Sequence, residues 1–295
     1  MSLEPAAELL RYARRNHFAI GYFESWDLAS LEGTIDAAER SRAPAILGFN
    51  GEFLSRPQRD PAARLESYAA MARAAAESAR VPCAVMFNEC SSDAWVRRAI
   101  DAGFNMVMLA DPAAELSDLT RRVAEIVRLA HSREVAVEAE LGLLPAGSEG
   151  HGEAAGSLTD PAAAAEFIGQ TGADVLAVSA GNIHVLLAGQ RPLDLERLSA
   201  IAQRVEVPLA LHGGTGIESD SLRAAVALGV AKVNFGTYLK QHVLAAWRRA
   251  LPGDVADPHR LLGDGGESDL LVIARRAVCD AVLERIETLG CVGRA

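Results

Sequence analysis

Short apolar runs alternate along the chain with longer stretches of helical period. The runs fall at 17–24, 43–49, 81–89, 105–110, 135–142, 173–180, 207–212 and 231–236. Each has strand length and is bounded by glycine, proline or polar residues. Residues 28–41, 61–80, 93–102, 116–132, 161–170, 193–205, 219–228 and 238–251 carry apolar positions at helical spacing, with alanine filling much of the inner side. Arg121, Arg122 and Arg128 are expected on the solvent side of their helix. Thr159 and Asp160 ahead of Pro161 are plausible helix caps. An amphipathic helix pattern also opens the chain and runs to Asn16. Past the eighth pair, a glycine- and aspartate-rich stretch at 252–268 leads into a long helix at 270–289. Ile273, Val278 and Val282 form its apolar side.

Eight strand–helix pairs call for a parallel sheet with helical crossovers. Closed on itself, such a sheet is a (β/α)8 TIM barrel, here a single α/β domain over 1–295 with an appended C-terminal helix. The competing architecture is a doubly wound open sheet. It would gather polar residues at one switch point and carry GxGxxG after the first strand. This chain instead has polar residues at the C-terminal ends of several strands and lacks that motif. The appended helix either covers the barrel or joins a partner subunit, and a homo-oligomer, dimer or tetramer, is the expectation.

The composition narrows the partners. Half the residues are hydrophobic and 23% are charged, enough for a full globular core. A formal net charge of −10 argues against nucleic acid and anionic membranes. It leaves room for a small phosphorylated metabolite, which local N–H groups can hold. No apolar run reaches spanning length, and the N-terminal stretch has no signal-type apolar core. The four cysteines show no CxxC spacing, so free thiols in a cytoplasmic protein are expected.

The strand tips carry the candidate chemistry. They are Glu24, Asn50, Asn88-Glu89-Cys90, Glu138 and Glu140, Gly181 leading to His184, His212-Gly213-Gly214-Thr215, and Asn234 leading to Thr237. Two histidines and several carboxylates converging on one mouth can hold a divalent metal. Gly213, Gly214, Thr215, Asn234 and Thr237 lie in the last two loops, the usual phosphate position in such barrels. Each residue also has a plainer role. Glu138 and Glu140 could pair with arginines inside the barrel, and Cys90 could fill apolar space.

Five segments together resemble the class II, metal-dependent fructose-bisphosphate and tagatose-bisphosphate aldolases. They are Val-Glu-Ala-Glu-Leu-Gly at 137–142, Leu-Thr-Asp-Pro at 158–161, Leu-Ala-Val at 176–178 leading to His184, Val-Pro-Leu-Ala-Leu-His-Gly-Gly at 207–214, and Lys-Val-Asn at 232–234. The resemblance spans nearly the whole chain. It implies a zinc ion on three histidines, polarising a ketose-phosphate carbonyl, with an aspartate as acid/base. His184 and His212 fall on the second and third zinc histidines, and Glu140 on a glutamate near the metal. Gly181, Gly213, Thr215, Asn234 and Thr237 fall on or beside the phosphate contacts.

The departures from that pattern are local. Where the family has Asp-His-His, this chain has Asn88-Glu89-Cys90. Asn88 takes the place of the acid/base aspartate, and an amide cannot serve that role. Glu89 takes the place of the first zinc histidine and can still ligate, giving a His184–His212–Glu89 set. A harder, more anionic set admits Zn2+ or another divalent ion. Val185 replaces a family glycine, and Ala188, Gly189 and Arg191 stand where a family lysine is expected. Glu24 and Trp26 replace Asn and His.

The expected function is therefore metal-assisted, reversible aldol cleavage of a phosphorylated ketose or related carbonyl compound other than ordinary fructose bisphosphate. Glu24, Glu140 and His151 are the candidates for moving the proton. The competing expectations are a non-catalytic metabolite-binding or regulatory barrel, and a metal-dependent isomerase or epimerase.

Overall fold

Among the described residues, ten strands and eleven α-helices largely follow the apolar pattern. In chain order they are α1 (Ala6–Arg15), β1 (Ile20–Glu24), α2 (Leu28–Ser41), β2 (Ala45–Asn50), α3 (Gly51–Ser55), α4 (Leu65–Ser78), β3 (Cys83–Cys90), α5 (Asp93–Ala102), β4 (Met106–Leu109), α6 (Leu116–His131) and β5 (Ala136–Leu141). Then come β6 (Ala146–Gly147), α7 (Pro161–Thr171), β7 (Val175–Val178), β8 (Val185–Leu186), α8 (Leu195–Ala202), β9 (Leu209–Leu211), α9 (Ser219–Ala227), β10 (Val230–Phe235), α10 (Thr237–Ala250) and α11 (Leu270–Leu289). This computed structural model describes residues 2–60, 62–147, 156–186, 189–251 and 257–295.

Eight strands form a closed parallel barrel in the order β1-β10-β9-β7-β5-β4-β3-β2. β6 and β8 pair separately beyond its rim. A strand's side chains alternate between its two faces. Tyr22 and Glu24 therefore share a face of β1, Glu138 and Glu140 a face of β5, and Lys232 and Asn234 a face of β10. Register places Tyr22 beside Asn234 and Ile20 beside Lys232. The opposite faces are apolar and pack under the helices, as in the stacked pair Phe23 and Phe235.

Several helix starts obey their caps. Asp160 accepts from Ala162 and Ala163 N–H at the start of α7, and Asp27 forms a capping box with Ser30 at the start of α2. Each such cap contributes about 1 kcal/mol. The helix expected at 61–80 begins only at Leu65, and that expected at 193–205 contracts to Leu195–Ala202. The short α3 went unforeseen. Its cap is Asn50, which accepts from Phe53 N–H at 3.0 Å.

Arg122 departs from its expected solvent position. Its guanidinium is packed inward, 2.6 Å from Asp93 and 2.8 Å from Asp111. The two carboxylates compensate the burial that periodicity alone could not anticipate. α11 packs on α2 and α10 of its own chain. Arg275 binds Asp36 and Glu32, both at 2.6 Å, and Trp247 Nε1 donates to Leu270 O at 2.7 Å. The appended helix thus covers its own barrel. Among the described residues, no helix is long and apolar enough to cross a membrane. All four cysteines are free and buried.

Candidate active site

The polar residues at the C-terminal end of the barrel form a connected cluster around Glu89. Glu89 closes β3 with φ 52, in the left-handed region. A non-glycine residue there costs on the order of 1–3 kcal/mol and marks a position held by its surroundings. The β3–β4 register slips between Phe87 and Cys90, a bulge that re-aims the intervening side chains. Glu89 Oε1 lies 2.9 Å from His212 Nδ1 and 3.2 Å from His184 Nε2. Its other oxygen accepts from Asn50 Nδ2 at 2.7 Å. Burial pushes the Glu89 carboxyl up, but the two histidines outweigh it and hold the group well below the ordinary glutamate range.

His212 is buried at the end of β9 and is enclosed by carboxylates. Its Nε2 lies 2.7 Å from Glu138 Oε1, and its Nδ1 lies 3.6 Å from Glu140 Oε1 as well as beside Glu89. Burial disfavours the charged ring, yet its bonds to Glu138 and Glu89 prevail and raise its pKa to about 10. His184 is more exposed, and its bond to Glu89 raises its pKa. Glu140 is pushed up, chiefly by burial, and its Oε1 has no hydrogen-bond partner. Glu24 is also pushed up by burial, against the effect of Lys240, with which it forms an ion pair. Lys240 stands over the Phe53 and Trp26 rings, 4.8 and 6.0 Å from their centroids.

The loops after β7, β9 and β10 are tied together. Asn182 Oδ1 accepts from Ala180 N–H at 2.8 Å, and its Nδ2 donates to His212 O at 3.0 Å. Gly213 has φ 68, and a Cβ there would lie 1.9 Å from Ile183 O, so only glycine fits. Thr215 Oγ1 accepts from Tyr238 N–H at 3.3 Å, joining this turn to the start of α10. Thr237 is the first residue of α10. Asn234 Oδ1 accepts from Lys232 Nζ at 2.5 Å, while its Nδ2 has no partner.

The profile of the family described as fructose-bisphosphate aldolase class-II matches residues 4–294. The chain belongs to that family. It is 33% identical to the fructose-bisphosphate aldolase of Thermus caldophilus, covering 98% of both chains. It is 32% identical to the uncharacterized protein YdjI of Escherichia coli K12, over 96% of each. The crystal structure of the YdjI aldolase superposes with a TM-score of 0.81 at 30% identity, covering 99% of both chains. A putative fructose-1,6-bisphosphate aldolase from Coccidioides immitis gives 0.81 at 25% identity, covering 98% of this chain and 97% of its own.

Against that class II aldolase background, the structure brings Glu89, His184, His212 and Glu140 together and sets Glu24 against Lys240. His151 lies outside the described residues. Two donors on one tetrahedral zinc stand roughly 3.4 Å apart. The separations of Glu89 Oε1 from the two imidazole nitrogens, 2.9 and 3.2 Å, are close to that, and the donor types suit a divalent ion. Among the described residues no three such side chains stand open around a shared point; Glu89 bonds to each histidine instead. Asn88 is buried, and its Oδ1 has no partner.

The arginine partners suggested for Glu138 and Glu140 are not the ones found. Glu138 pairs with Lys232, whose Nζ lies 2.9 Å from Oε2, and both side chains are fully buried. The one signal for this in the sequence is a single lysine within an apolar strand, alternating with Asn234. Asn182 and Lys240 join the site without having been given a role from the sequence, whereas Asn50 was among the strand-tip candidates. Each is polar at a strand end or early in the following segment, where the sequence alone does not specify a partner.

Proposed function

We propose that this chain is a divalent-metal-dependent aldehyde-lyase acting on a phosphorylated ketose or related carbonyl compound other than ordinary fructose bisphosphate. The observation that carries this reading is Glu89, held between His184 and His212 with Asn50 on its second oxygen. Glu89, His184 and His212 would hold the ion, Zn2+ or another divalent cation. When bound, such an ion polarises a carbonyl and stabilises negative charge beside it.

The remaining work falls to the protein's own groups. Aldol cleavage takes a proton from a hydroxyl and returns one to carbon. Glu140 suits this exchange: burial raises its pKa, and Oε1 accepts no hydrogen bond. Glu24 shares the raised pKa, but its bond to Lys240 restrains it. Thr215, Thr237, Asn234 and the backbone at Gly181, Gly213 and Gly214 would take the phosphate, aided by the start of α10.

A panel of ketoses and ketose phosphates, assayed for aldehyde release by wild type and Glu140→Gln, tests this reading. The variant should lose about 10²–10⁴-fold in rate, the usual share of general acid–base catalysis. An undiminished rate in a folded Glu140→Gln protein would remove Glu140 from the mechanism. Asn88 keeps a second reading in view, a metabolite-binding barrel without turnover. Ligand binding with no aldehyde release from any member of the panel would favour it. Isomerised or epimerised product without cleavage would favour an isomerase.

A further inference from the structure

A second set of charges lies behind the three donors, and the aldolase reading leaves it without a role. Glu138 and Lys232 are both fully buried, on β5 and β10. Lys232 Nζ donates to Glu138 Oε1 at 3.1 Å and forms an ion pair with Oε2 at 2.9 Å, while Oε2 accepts no hydrogen bond. The lysine's third polar contact is Asn234 Oδ1, and the Tyr22 ring centroid lies 5.1 Å away. Glu138 Oε1 also lies 2.7 Å from His212 Nε2. Oε1 is thus shared between the ammonium and the imidazole.

An imidazole has two ring nitrogens, and the partner of one decides what the other can do. Nε2 is engaged by Glu138 in the buried interior of the barrel, 2.7 Å away. Only Nδ1 is left to face the barrel mouth, where Glu89 stands 2.9 Å away. Asn182 Nδ2 holds the His212 carbonyl at 3.0 Å, so the backbone carrying the ring is fixed as well.

We infer that Glu138 and Lys232 are positioning residues that fix the ring orientation of His212, so that Nδ1 is the nitrogen offered to a divalent ion. Lys232 acts through Glu138 by its bond to Oε1 and its charge beside the buried carboxylate. This rests on the reading of His212 as a metal ligand. Loss of such an outer partner typically weakens metal binding by 10–100-fold.

The test uses the full chain, first stripped with chelator and then titrated with zinc. Glu138→Gln and Lys232→Met are compared with wild type for zinc affinity, circular dichroism and side-chain 15N spectra of His212. In wild type, Nε2 should carry a proton protected from exchange, and zinc should shift Nδ1. Folded Glu138→Gln should bind zinc 10–100-fold more weakly and lose the protected proton, and folded Lys232→Met should move the same way. Wild-type affinity together with an unchanged spectrum in folded Glu138→Gln overturns the inference. If Lys232→Met does not fold, Glu138→Gln carries the test. If wild type binds no zinc, the metal reading fails separately. The metal-free spectrum then decides the ring: a protected Nε2–H that is lost in Glu138→Gln supports the positioning role, and an Nε2 without a protected proton in wild type overturns it.

Discussion

His212 Nδ1 and Glu89 Oε1 stand 2.9 Å apart, joining the ends of β9 and β3 across the barrel mouth. Glu89 reaches this position from a left-handed backbone, φ 52, with Asn50 fixing its second oxygen. A carboxylate between two imidazoles is thereby kept ionised in a buried setting. The neighbouring Glu24 and Glu140 experience the opposite balance, and burial pushes both up.

Glu24 gives a pH-dependent consequence. Its folded pKa is raised above its unfolded value, mainly by burial. The folded chain therefore keeps a proton that the unfolded chain has lost, and stability falls as pH rises from the unfolded pKa through the folded one. Glu24→Gln has no such loss. Thermal melts at pH 4 and pH 7 should show the variant gaining on wild type at the higher pH. A difference that is constant with pH would contradict the assigned shift.

Cleavage of fructose bisphosphate should be feeble, because Asn88 stands where the resemblance places the acid/base aspartate. Asn88→Asp alone should not restore it. The new carboxylate would be buried at a position whose Oδ1 already lacks a partner, and Glu89 still departs from the family pattern. A coupled triose-phosphate assay decides this. A wild-type rate comparable with ordinary class II aldolases, or full recovery in Asn88→Asp, would contradict the account.

The phosphate contacts call for a careful choice of variant. Gly214→Val is a poor probe, because a Cβ at Gly214 would lie 2.6 Å from Val233 Cγ1 and the turn itself would shift. Thr215→Val keeps the side-chain size and removes the hydroxyl, including its 3.3 Å bond from Tyr238 N–H, so circular dichroism accompanies it. Hydrogen bonds to charged groups contribute about 1.5–3 kcal/mol, so affinity for dihydroxyacetone phosphate should fall by roughly tenfold or more. Affinity for free dihydroxyacetone should barely change. Equal binding of the two ligands by wild type would mean that the phosphate anchor has been lost.

The barrel was legible because each strand is a short apolar run and each helix repeats on its own period, both local signals. The histidine and glutamate positions were legible because they end those runs. Their partners were not. Lys232 meets Glu138 only because barrel closure puts β10 and β5 around one interior, and Lys240 meets Glu24 only because β10 lies beside β1. Arg122 was misplaced for the same reason: its compensating Asp93 lies on a different helix. Breaking the pair at Lys232 would leave a buried carboxylate short of its countercharge. Removing one partner of a buried pair typically costs about 3–5 kcal/mol, so this lysine belongs to the fold as much as to the site.

The most direct measurement is divalent metal per chain in purified wild type, His212→Ala and Glu89→Ala, by elemental analysis alongside circular dichroism. Wild type should carry bound metal, and both folded variants should lose most of it. Equal metal in all three, or none in a wild type reloaded with zinc, would contradict a site built on Glu89, His184 and His212.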